Sequence, residues 1–213
     1  MNMAKLRDRV RNIGQPVALF FGRIGLTPNG LTLLGFAITV AGAVLAALDL
    51  WLPAAVVVFI GGAFDMFDGS LARATGTTSN TGAFLDSVFD RWGEAVVYLG
   101  IIVGCLAPGD RLGAGLAAFA MASAFMVSYA RARAESLGFA PGKGMAAIGL
   151  APREIRLVIL SLGLLAAGLT GGVQSDGSRP LWLALGLIGV LATITVIQRI
   201  IHVTNQAAPT DGK

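Results

Sequence analysis

The chain has 213 residues, 55% of them hydrophobic and 13% charged, with 29 glycines and a mean hydropathy of +0.74, a composition that excludes an ordinary soluble domain. The net charge of +4 comes from Lys and Arg scattered along an apolar sequence, which fits juxtamembrane anchoring and gives no reason to expect nucleic acid as a partner. Cys105 is the only cysteine, so neither an intrachain disulfide nor a thiolate metal cluster can form, and any metal chemistry must use oxygen ligands.

Residues 1–23 carry Lys5, Arg7, Arg9 and Arg11 beside Leu6, Val10, Ile13, Val17 and Phe20 at three- and four-residue spacing. That periodicity predicts an amphipathic helix lying in the membrane interface. Gly14, Gln15 and Pro16 interrupt it where a signal peptide would need its apolar run, so the segment is expected to be retained. Uncharged stretches between Arg23 and Asp49 and over 112–130, 157–175 and 180–198 are each long enough to span. Two further spans, about 52–74 and 83–106, are apolar enough to insert but hold aspartates well inside. The expected fold is thus an all-α integral membrane protein with six transmembrane helices over 24–205, an interfacial helix before them and a short cytoplasmic tail at 206–213. Six spans put both termini on one side. Of the 16 basic residues, only Arg111 and Arg179 fall opposite, so the common side is cytoplasmic by the positive-inside rule and the protein is expected to be multi-pass in the cell membrane.

Asp65 and Asp68 lie three apart near the inner end of the second span, and Asp86, Asp90 and Glu94 follow at intervals of four from the inner start of the third. On helices these spacings give each span one acidic face. The short link 75–81 predicts that the two helices are antiparallel neighbours, so that Asp65, Asp68, Asp86 and Asp90 converge. Buried carboxylates are costly in a bilayer unless a cation, a proton or water compensates them. Oxygen donors match magnesium, manganese or calcium better than zinc or copper. Pairing with Arg73 and Arg91 is the plainer account of any single aspartate. Gly69 and Gly82 leave the helix surface bare beside Asp68 and Asp86, where a phosphate-bearing ligand can approach, and Arg73 can fork onto phosphate oxygens. Those glycines also suit close helix packing, as do Gly35, Gly42, Gly61 and Gly62.

Read together, D-M-F-D-G-S-L-A-R from 65 to 73 and G-A-F-L-D-S-V-F-D from 82 to 90 resemble the signature of the CDP-alcohol phosphotransferase family, with Asp65, Asp68, Gly69, Ala72, Arg73, Gly82, Asp86 and Asp90 all in place. The six-span layout and the L-T-P-N-G-L-T run before the first span fit the same resemblance. It implies that an acceptor hydroxyl attacks the β-phosphorus of a CDP-linked lipid, CDP-diacylglycerol or CDP-archaeol, and expels CMP. It further implies that Asp65, Asp68 and Asp86 ligate Mg2+ or Mn2+. Asp90 would be the general base or a ligand to a second ion, and Asn29, Asp68, Gly69, Ala72, Arg73 and Gly82 would bind the CDP moiety. A homodimer is expected on the same ground.

The acceptor is addressed by basic residues beyond the motif. Arg131 and Arg133 end the fourth predicted span, Arg153 and Arg156 begin the fifth and Arg199 ends the sixth, all on the side of the aspartates. Guanidinium groups gathered there suit a phosphate-bearing acceptor, although positive-inside anchoring accounts for any one of them equally well. Their context (Tyr129 to Glu135, Arg153 to Leu157, Gln198 with Arg199) resembles the inositol-phosphate-using branch of the family, the phosphatidylinositol phosphate synthases and archaetidylinositol phosphate synthases. Inositol 1-phosphate is the acceptor this implies, with glycerol 3-phosphate the alternative. A divalent-cation transporter is the rival of another class. It would need polar residues through the outer half of the spans, which are apolar beyond Asp65 and Glu94. A structural scaffold would leave the buried acids unexplained.

Overall fold

A computed structural model describes residues 16, 19–139, 148–172 and 178–207, apart from the side chains of Asp65 and Met66. Six helices make up the described chain: α1 Pro28–Ala47, α2 Trp51–Thr75, α3 Asn80–Leu106, α4 Arg111–Ser136, α5 Arg153–Leu169 and α6 Arg179–Ala207. Thr27 caps α1 by accepting from the Gly30 amide at 3.1 Å, with Pro28 in the first turn, where a missing N–H costs nothing. Ser79 caps α3 through Gly82 N at 3.0 Å, and Asp110 caps α4 through Gly113 N at 2.9 Å. Gly76, at φ 67°, ends α2 in the left-handed conformation that glycine adopts without strain.

The packing forms a closed circuit. α1 lies against α2 and α3, α2 against α5, α5 against α6, α6 against α4, and α4 against α3. One apolar core draws on all six, from Ala46, Val58 and Ile101 to Ala117, Leu164 and Leu185. Alanines 114, 117, 120 and 124 give α4 a thin face that lets its neighbours approach closely. Many large apolar side chains, among them Phe59, Val103, Leu162 and Leu183, point outward and stay exposed, the surface expected of helices solvated by lipid.

Among the described residues four helices are long and apolar enough to cross a membrane: Pro28–Ala47, Trp51–Thr75, Arg111–Ser136 and Arg179–Gln206. The set differs from the four uncharged stretches of the sequence. α5 begins at Arg153 and has 17 residues, because Gly171 and Gly172, at φ 92° and 75°, end the helical run that absence of charge alone would carry to 175. α2 enters the set despite its aspartates. α4 continues past 130 to Ser136 and α6 past 198 to Ala207, so Arg131, Arg133 and Arg199 lie on the helices, in keeping with their expected place at the span ends.

The expected interfacial helix over 1–23 falls largely outside the described residues. Its last turn, 19–23, is helical and carries Phe21, whose ring sits 5.5 Å from Phe64 and 6.3 Å from Phe67. These aromatics brace α2 at the turn that bears the first two aspartates.

Candidate active site

α2 and α3 touch each other little, because α1 packs extensively against both. The two helices do border a shared space, as expected of neighbours joined by a short link, but their mutual contact is slight and the start of α1 lines the space as well. That space is a cavity of about 420 Å³ lined by Thr27, Asn29 and Thr32 of the α1 end, by Asp68, Gly69, Ala72 and Arg73 of α2, and by Ser79, Gly82 and Asp86 at the start of α3, with Thr77 and Thr78 at the rim. All of the residues expected to bind CDP line it. Six of the eight signature positions meet there, although they come from two helices that scarcely pack on one another.

Asp68 is the most buried of these groups, 4% exposed. The Thr32 hydroxyl donates to its Oδ2 and the Gly69 amide to its Oδ1, each at 2.5 Å. The two bonds hold the carboxylate in one orientation. Thr32 escaped the sequence reading although it lies within the quoted L-T-P-N-G-L-T run, because a helical threonine ordinarily bonds its own preceding turn. Here it also lies 3.2 Å from the Pro28 carbonyl. Gly69 and Gly82 line the cavity with bare backbone: a Cβ at Gly69 would press on the Arg73 guanidinium at 3.2 Å, and one at Gly82 on the Ser79 hydroxyl at 3.1 Å and Asn29 Oδ1 at 3.5 Å.

The acidic row of α3 is divided between two environments. Asp86 lines the cavity. Asp90, one turn on, faces α5, where Arg153 Nη1 lies 2.7 Å from its Oδ1, and Arg91 Nη1 lies 3.7 Å from Oδ2. Glu94, a further turn on, is held by Arg156, with Nε to Oε1 at 2.8 Å and Nη2 to Oε2 at 2.9 Å, the planar fork expected of arginine. Arg156 is 2% exposed, and its Nη1 donates to the Ala151 carbonyl at 2.8 Å.

Among the described residues no three acidic, histidine or cysteine side chains group as a metal-ligand set, so the expected convergence of four carboxylates is not seen there; the Asp65 side chain lies outside them. The donor chemistry fits a hard divalent cation all the same. Asp68 and Asp86 line one cavity with hydroxyl groups around them, while Cys105 is buried near the other end of α3 and the lone histidine, His202, faces Gln206 on α6 at 2.8 Å.

The arginines expected to bind the acceptor fall into two groups. Arg131 and Arg133 are exposed on the last turns of α4, with Arg131 paired to Glu135 at 3.0 Å. Arg153, Arg156 and Arg199 reach inward. Arg199, 4% exposed, donates Nε to the Ile148 carbonyl at 3.1 Å and Nη1 to the Val127 carbonyl, and it is within electrostatic reach of Arg131, Arg156 and Arg91. Of these arginines Arg153 lies beside a signature aspartate, Asp90, which Arg91 of α3 also approaches.

A family model described as CDP-alcohol phosphatidyltransferase matches residues 25–204. The chain is 33% identical to an archaetidylinositol phosphate synthase of Pyrococcus horikoshii over 93% of its own length and 94% of the relative's. It is 35% identical to a phosphatidylinositol phosphate synthase of Streptomyces avermitilis, over 92% and 80% respectively. The crystal structure of Mycobacterium tuberculosis phosphatidylinositol phosphate synthase with CDP-DAG bound superimposes with a TM-score of 0.79 at 30% identity, covering 95% of this chain and 98% of that one. The same enzyme in complex with manganese and citrate gives 0.78 at 30% identity, covering 94% and 93%. With six signature positions around one cavity and these matches spanning nearly its whole length, the chain belongs to the CDP-alcohol phosphatidyltransferase family of enzymes.

Proposed function

We propose that this protein transfers the phosphatidyl-type group of a CDP-linked lipid, CDP-diacylglycerol or CDP-archaeol, to a hydroxyl of inositol 1-phosphate. The acceptor oxygen forms a bond to the β-phosphorus, the bond from that phosphorus to the CMP oxygen breaks, and CMP leaves. The observation that carries the reading is the cavity where Asp68, Gly69, Ala72, Arg73, Gly82 and Asp86 meet. Relatives named for inositol phosphate products support the acceptor, with glycerol 3-phosphate the alternative.

Asp65, Asp68, Asp86 and Asp90 are the residues that would hold Mg2+ or Mn2+. Such an ion, when bound, neutralises charge on the diphosphate and on departing CMP. Gly69, Ala72 and Gly82 leave room for the nucleotide's phosphates against bare helix surface, Arg73 donates to them, and Asn29 meets the nucleotide from the start of α1. Thr32 holds the Asp68 carboxylate in one orientation. Asp90 receives the acceptor's proton as the new bond forms. Arg153 stands beside Asp90 and is suited to receive the acceptor's phosphate; Arg131, Arg133 and Arg199 supply further positive charge around it. Arg156 was expected in the same group, but each of its three guanidinium nitrogens is engaged by Glu94 or the Ala151 carbonyl, and its contribution is to hold α5 on α3.

The same reading makes residues 24–205 a six-span catalytic domain in the cell membrane with its site facing the cytoplasm, the segment 1–23 an interfacial helix, 206–213 a short tail, and the working unit a homodimer. The test is CMP release by the purified protein with CDP-diacylglycerol and magnesium, in parallel reactions with inositol 1-phosphate, glycerol 3-phosphate, free inositol and serine. Release with inositol 1-phosphate alone is the expected result. Release with glycerol 3-phosphate alone keeps the chemistry and replaces the acceptor, and silence with every acceptor and with CDP-archaeol as donor removes the reading.

A further inference from the structure

We propose that Thr195 is a positioning residue for the acceptor side of the site, acting through the strap 148–151 that leads into α5. The inference rests on the functional reading above, since it concerns how Arg153 comes to face Asp90.

α5 begins without a side-chain cap, because its N-cap position is Pro152. Something outside the helix must therefore fix where its first turn starts. α6 supplies that restraint. Thr195, 0% exposed, accepts from the Leu150 amide at 3.0 Å and the Ala151 amide at 3.1 Å, and donates to its own Leu191 carbonyl at 2.8 Å. One turn on, Arg199 Nε holds the Ile148 carbonyl. From α5 itself, Arg156 holds the Ala151 carbonyl at 2.8 Å. Gly149 adopts φ +124°, and a Cβ there would lie 2.2 Å from Thr195 Cγ2, so the strap lies directly against this threonine.

Four backbone groups in four residues are thus tied by directional bonds, and two residues beyond Ala151 the Arg153 guanidinium meets Asp90 at 2.7 Å. Apolar packing of α5 tolerates sliding along the helix axis. Two buried hydrogen bonds to one hydroxyl do not, and precise placement of a charged group needs such directional support. The Thr195 hydroxyl bonds neither Asp90 nor Arg153; it fixes the segment from which the arginine projects.

The decisive variants are Thr195→Val, which keeps the shape and leaves two buried amides without an acceptor, and Thr195→Ser, which keeps the hydroxyl. With Thr195→Val, the KM for inositol 1-phosphate is expected to rise about tenfold while the KM for CDP-diacylglycerol stays put, and Thr195→Ser is expected to stay near wild type. In an Arg153→Ala background Thr195→Val should add nothing further. An equal loss in both variants, a fall in kcat with both KM values unchanged, or full additivity with Arg153→Ala would overturn the proposal and leave Thr195 an ordinary packing residue. Hydrogen exchange supplies a readout that needs no turnover: faster exchange confined to 148–156 in Thr195→Val is expected, and unchanged or uniformly raised exchange overturns the proposal. A wild-type protein silent in the CMP assay would remove the functional reading while the exchange result still decides whether Thr195 holds the strap. Should Thr195→Val fail to fold, Thr195→Cys, whose thiol is a poor acceptor, takes its place in every measurement.

Discussion

The two ends of the bundle use glycine in opposite ways. Far from the cavity, Gly100 and Gly104 of α3 lie so close to α1 that a Cβ at either would sit 2.2 Å from a backbone carbonyl oxygen, that of Ala43 or Ala46. There the missing side chain lets two helices meet backbone to backbone. Asp110 caps α4 and accepts from Trp182 Nε1 at 2.7 Å, tying α6 to that end. At the cavity end, a Cβ at Gly69 or Gly82 would meet side chains, those of Arg73, Ser79 and Asn29, rather than a neighbouring backbone, and α2 and α3 make little contact. The same residue type closes one end and opens the other, and only its surroundings tell which.

The largest expected effect is at the open end. Asp68→Asn should lower CMP release by about 10²- to 10³-fold, since a preoriented buried charge is lost, while the melting midpoint in detergent changes little. An equally large drop in thermal stability would instead make Asp68 a packing residue. Next comes the glycine pair. Gly100→Ala should cost about 1–3 kcal/mol of stability, because two backbones must separate. Gly69→Ala should leave stability level or raise it by up to about 1 kcal/mol through helix propensity, and raise the KM for the CDP-lipid. Thermal midpoints and donor KM values measured on both variants would collapse the contrast if they behaved alike. Thr32→Val should reduce kcat about tenfold through the lost bond to Asp68, with Thr32→Ser restoring most of it in the same assay. The smallest effect belongs to the closed end, where Asp110→Ala should cost about 1 kcal/mol in a denaturation experiment and leave kcat/KM untouched.

Much of this was legible in the sequence. The all-helical character and the signature followed from charge gaps and three- and four-residue spacings, which are local properties. The arrangement of α2 and α3 was not legible, because a short link brings two helix ends together without saying whether another helix packs between their bodies. Nor could spacing separate Arg153 from Arg156. They lie three apart on one face of α5, and only the facing helix decides that one meets Asp90 and the other Glu94. Thr32 was hidden for the same reason, since its partner lies 36 residues away.

The shortness of α5 has a consequence for the surrounding lipid. Its 17 residues rise about 25 Å, less than the hydrocarbon core of about 30 Å that a spanning helix must match. In the six-span arrangement proposed for this protein, the bilayer must thin beside α5 or carry the helix's arginine-bearing end below the headgroups, each at a modest cost per ångström of mismatch. Bilayer thickness thereby enters the position of Arg153, and vesicles of short-chain lipid should support faster turnover than vesicles of long-chain lipid at equal substrate density.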